Sequence, residues 1–70
     1  MNPTAKRVCT YKPDGYTEIA VYEGDTLLGI VERPHRAALW LVYRASDLLH
    51  PIHKARSSIK AEAFLRASAP

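Results

Sequence analysis

The side chains able to do chemistry in this chain of 70 residues are few: one cysteine, Cys9, and three histidines, His35, His50 and His53. His50-Pro51-Ile52-His53 sets two imidazoles three positions apart. A helical turn would bring them together, whereas a strand would send them to opposite faces. Zinc asks for three or four ligands, and neither Cys9 nor His35 stands at a recognised spacing from the pair. The expectation is two solvent-facing histidines and no metal. Cys9 with a histidine would make a nucleophile and its base, but that chemistry also needs an orienting group in a cleft. A chain this short offers little wall for a cleft, and a lone cysteine in a small β domain is an apolar filler. Gly15, Gly24 and Gly29 are isolated from one another, so no glycine-rich loop is present to cradle a phosphate. The sequence thus implies no enzyme activity, no cofactor and no small-molecule ligand.

Charge is the next signal. The net formal charge is +3. Lys6, Arg7, Lys12 and Arg33 against Asp14, Glu18, Glu23, Asp25 and Glu32 leave the first half at −1. Arg36, Arg44, Lys54, Arg56, Lys60 and Arg66 against Asp47 and Glu62 leave the second half at +4. A basic half of this kind suits a phosphate backbone or an acidic partner. Arg33, Arg36, Arg44, Lys54, Arg56 and Lys60 are therefore the candidate nucleic-acid contacts, with exposed aromatics available to stack on unpaired bases.

The elements that must position these groups follow from pattern. Hydrophobic residues make up 47% of the chain, enough for one small core. A domain this small buries only about 60% of the surface its unfolded chain exposes, so its stability is marginal. A single cysteine excludes an intrachain disulfide, and small secreted domains usually rely on such staples, so a cytoplasmic setting is expected. No apolar run reaches the roughly 20 residues of a membrane span. Residues 1–6 read as a flexible tail and 7–68 as the domain.

Arg7–Tyr11 has strand composition, and Pro13-Asp14-Gly15 is a turn. Thr17–Glu23 alternates as a strand, Gly24-Asp25 fits a two-residue hairpin turn, and Leu27–Arg33 returns. Ala38–Arg44 is apolar on both faces, as expected of a covered central strand. Pro51 forbids a central strand in the next segment; it allows the first turn of a longer helix or, as we expect, an edge strand around 49–55. Ser57-Ser58 opens a helix whose stripe is Ala61, Phe64 and Leu65, with Glu62 and Arg66 spaced as an ion pair on its flank. The fold class expected is α+β: an antiparallel sheet of three to five strands, built from hairpins, with one C-terminal helix packed on one face.

Pairing Glu23 with Thr26 and continuing without interruption sets Val21 opposite Leu28 and Ile19 opposite Ile30. The expected core is then Ile19, Val21, Leu28, Ile30, Trp40, Val42, Phe64 and Leu65, with the face of Trp40 left open. The reverse side holds Ala20, Tyr22, Leu27, Gly29 and Val31, and the third strand adds Leu39, Leu41 and Tyr43 to one side. One short helix covers only one of two apolar faces, and an uncovered apolar face marks an interaction surface. The expectation is a small non-enzymatic module that self-associates or binds a protein through Tyr22, Leu27, Val31, Leu39, Leu41 and Tyr43. The alternative is a nucleic-acid-binding module using the basic second half.

Trp40-Leu41-Val42, a hairpin turn, Ser57-Ser58 and Ala61-Glu62-Ala63-Phe64-Leu65 together resemble the arm-type DNA-binding domains of tyrosine recombinases. That resemblance covers under half the chain. It implies a three-stranded sheet packed against a C-terminal helix, and it departs from the family in an acidic N-terminal hairpin and sparse basic residues on the sheet.

Overall fold

The structure, a computed structural model, describes residues 5–13, 15–34 and 38–68. Five strands, β1 (Ala5–Tyr11), β2 (Thr17–Glu23), β3 (Thr26–Arg33), β4 (Trp40–Arg44) and β5 (His53–Ala55), precede one helix, α1 (Ser58–Ala67). The strands form one antiparallel sheet in chain order, and α1 packs across β3, β4 and β5. This is an α+β fold of the class expected. β1 begins at Ala5, two residues before the strand expected from Arg7; residues 1–4 lie outside the described part. The expected edge strand at 49–55 shrinks to three residues. Asp47 accepts from the Leu49 amide at 3.1 Å and contacts the His50 ring at 2.9 Å, which curls the chain into a turn. Pro51 has no amide to donate, and pairing resumes with Ile52 N–H donating to the Val42 carbonyl at 2.7 Å.

The decisive local feature is a bulge. Glu23 does pair with Thr26 and Tyr22 with Leu27, but Val21 then pairs with Gly29, leaving Leu28 as an extra residue in β3. One extra residue exchanges the two faces for the rest of the strand. Beyond it, Ile19 lies opposite Val31, and Ala20 opposite Ile30. The uninterrupted register expected from the turn is corrected accordingly. Val31 is fully buried beneath the helix, so it is no interface residue, and Ile30 leaves the core for the opposite face. The bulge also disrupts the ladder locally, and the Tyr22 carbonyl there accepts a hydrogen bond from Arg66 Nη1 at 3.1 Å.

The core consists of Ile19, Val21, Val31, Trp40, Val42, Ala55, Ala61 and Leu65, with Cys9, Leu28 and Phe64 partly buried around it. Trp40 thus sits on the helix side. α1 starts as its sequence predicts: Ser57 is extended, and its hydroxyl accepts from the Lys60 amide at 3.2 Å. Its stripe of Ala61 and Leu65 is buried, but Glu62 does not lie on an outer flank. It is buried, and Arg7 of β1 grips both its oxygens at 3.1 Å. A carboxylate withdrawn from water needs such a two-pronged partner, and the pair ties the helix to the far edge of the sheet.

Candidate interaction surface

Cross-strand register places two rows on the face turned away from α1. One runs Thr10, Glu18, Glu32, Leu41, Lys54 from β1 to β5; the next runs Val8, Ala20, Ile30, Tyr43. Ala20, Ile30, Leu41 and Tyr43 are half-buried by their neighbours within the sheet, and Val8 is exposed. Among the described residues no helix or strand packs over them. Tyr22 and Leu27, paired below these rows, and Leu39, above them, extend the apolar surface. A shallow hollow of about 250 Å³, lined by Pro34, Ala38, Leu39, Leu41 and Lys54, dents its upper corner.

Five of the six interface residues read from sequence, Tyr22, Leu27, Leu39, Leu41 and Tyr43, therefore lie on the open face; Val31 does not. Val8, Ala20 and Ile30 belong there as well. Ile30 was hidden by the bulge, for which the sequence carries no signal beyond an isolated glycine in a strand.

The open face has a polar centre. Glu18 and Glu32 lie directly opposite each other, an arrangement of like charges that ordinarily destabilises a strand pair. Phenols answer it. The Tyr16 hydroxyl donates toward Glu18 at 2.8 Å and also toward Glu32, so one proton is shared between two carboxylates. The Tyr43 hydroxyl donates to the other oxygen of Glu32 at 2.7 Å. Tyr16 and Glu18, two apart on alternating backbone, hinted at this cluster; Glu32 enters it only through strand register.

Partial burial, then the bonds to Glu32 and Glu18, then their negative charge push the Tyr16 phenol well above its ordinary range. Burial first, then the Glu32 bond and charge, push Tyr43 up to about 12. An unfolded tyrosine ionises near pH ~10. The contribution of Tyr43 to stability is thus complete below pH ~10 and is lost as pH climbs through about 12. Urea midpoints are expected to hold steady up to about pH 10 and fall above it. Tyrosinate absorbance should show two late-titrating residues among the four tyrosines. A midpoint that does not fall above that pH would contradict the cluster.

The basic candidates do not converge. Arg33 lies on the helix side, its guanidinium 5.3 Å from the Trp40 ring centroid. Arg44, also on that side, stands at the opposite end of β3 and β4, beside a hollow with Glu23 and Leu65. Lys54 is on the open face, Arg56 lies between β5 and α1, and Lys60 is exposed in the first turn of the helix. Arg36 lies outside the described residues.

His50 is held by Asp47, and His53 stacks on Phe64 with centroids 3.9 Å apart. Among the described residues no three His, Cys, Asp or Glu side chains cluster as metal ligands. Among them, too, no helix is long and apolar enough to cross a membrane. Comparison with known proteins gives no match: no family model fits the sequence, and no curated protein or solved structure is significantly similar to it.

Proposed function

We propose that this chain is a non-enzymatic interaction module that associates with protein, its own copy included, through the open sheet face. The observation that carries this reading is the two-sidedness of the sheet: α1 seals one face, while the other presents Val8, Ala20, Tyr22, Ile30, Leu41 and Tyr43. An uncovered face carrying this many apolar side chains marks a protein contact site, and the Glu18–Glu32 pair within it is already satisfied by tyrosine hydroxyls. The lone cysteine favours work in a reducing cytoplasm.

The nucleic-acid reading has weaker support. Its basic residues are divided between two faces and opposite ends of the sheet, and the open face is centred on two carboxylates that repel phosphate. An NMR titration separates the two. With rising protein concentration, amide shifts are expected at Ala20, Ile30, Leu41 and Tyr43, with only a modest dependence on salt. Shifts at Lys54, Arg56 and Lys60 on adding short DNA or RNA, fading steeply with salt, would favour the second reading instead. A spectrum unchanged in both titrations would defeat both.

A further inference from the structure

We infer that the occupant of the open face is a second copy of this chain, laid face to face about a two-fold axis parallel to the strands and between β3 and β4. The inference rests on the proposed use of that face and adds the partner and its geometry. An isologous contact requires a surface complementary to itself. The outer members of the row Glu18, Glu32, Leu41, Lys54 have that property: acidic Glu18 on β2 and basic Lys54 on β5 exchange places when strand order is reversed, while Glu32, its oxygens held by Tyr16 and Tyr43, comes beside Leu41.

Rotation about the stated axis preserves height along the strands and reverses strand order. β5 of one copy then lies over β2 of the other, and β4 over β3. Lys54 of each copy meets Glu18 of the second copy, twice per dimer, and Ile30 meets Tyr43 of the second copy in the row below. Facing sheets stand about 10 Å apart, a gap that a lysine and a glutamate side chain span together. An axis running along β3 would instead set Glu32 against its own copy. Ile30, Tyr43 and Leu41 of both copies meet about the axis, and the Lys54–Glu18 charges on either side fix the register and the strand order. A standard interface takes roughly 800 Å² from each partner. That is about a sixth of this chain's 4951 Å² surface, so the contact must use most of a broad face rather than an edge.

The test is a charge exchange read by sedimentation velocity. The variants are Lys54→Glu and Glu18→Lys. Lys54 is exposed, whereas Glu18 is half-buried and its change removes an acceptor of the Tyr16 hydroxyl, so circular dichroism first checks that each variant is folded. Alone, each variant sets like charges against each other at both contacts, and its dimer should weaken on the order of tenfold to a hundredfold. Mixed in equal amounts, the two variants restore opposite charges at both contacts, and dimerisation should recover as a heterodimer. Ile30→Lys should abolish association altogether.

If the wild type dimerises and Ile30→Lys breaks it, but the charge variants and their mixture behave alike, the arrangement is overturned and the use of the face stands. A dimer indifferent to Ile30→Lys, or a wild type monomeric throughout, overturns both.

Discussion

Alanine in place of Gly29 is expected to remove a large part of the domain's stability, whereas alanine in place of Gly24 is expected to cost less and leave a firmly folded protein. The two glycines serve different ends. Gly24 has φ +60° at the first central position of the β2–β3 turn, with open space where a Cβ would stand. An L-residue there costs roughly 1–2 kcal/mol of backbone strain and nothing in packing. Gly29 lies within β3, opposite Val21 and beneath the helix. A Cβ on it would overlap the Tyr43 carbonyl oxygen and stand 3.0 Å from both methyl carbons of Leu65. Leu65 can shift, but the carbonyl belongs to the β4 backbone, so relief requires parting β3 from β4 or lifting α1. Overpacking of this kind costs about 1–3 kcal/mol and occasionally more. A domain of this size has a total stability of roughly 4–10 kcal/mol. Urea melts of the two variants provide the check. A Gly29→Ala midpoint at or above that of Gly24→Ala would show that β3 and β4 are not packed as described.

The legible part of this fold is the part governed by local chemistry. Turn residues marked the two hairpins of the N-terminal half, Ser57 marked the helix start, and alternation in Thr17–Glu23 marked β2. The N-terminal limit of β1 was not legible, because Ala5-Lys6 resembles a tail until it pairs with Tyr22-Glu23. The fate of Glu62 was not legible either. Spacing alone offered Arg66 as its partner, while the helix docks so that Arg7, 55 residues away, reaches it first. The open face was visible as a surplus of apolar residues, but its membership was not. Membership depends on parity, and parity depends on one unpaired residue, Leu28.

That dependence supplies the second large effect. Val31→Lys is expected to abolish folding, while Ile30→Lys, one residue earlier, is expected to be tolerated. Val31 is fully buried between Ile19 and Val42, its partners on either side. Lysine there would lose roughly 1.5–3 kcal/mol of apolar burial and leave an unpaired ammonium in the core, worth about 3–5 kcal/mol more. The sum matches the whole stability of a domain of this size. Ile30 lies between Ala20 and Tyr43 on the open face, where a lysine head reaches water along its own stem. A change there costs about 1 kcal/mol or less. With an uninterrupted register the outcomes would exchange, because Ile30 would point into the core and Val31 away from it. Circular dichroism and thermal melts of the two variants therefore read the bulge directly. A folded Val31→Lys beside an unfolded Ile30→Lys would remove the bulge and, with it, the two rows on which self-association through the open face depends.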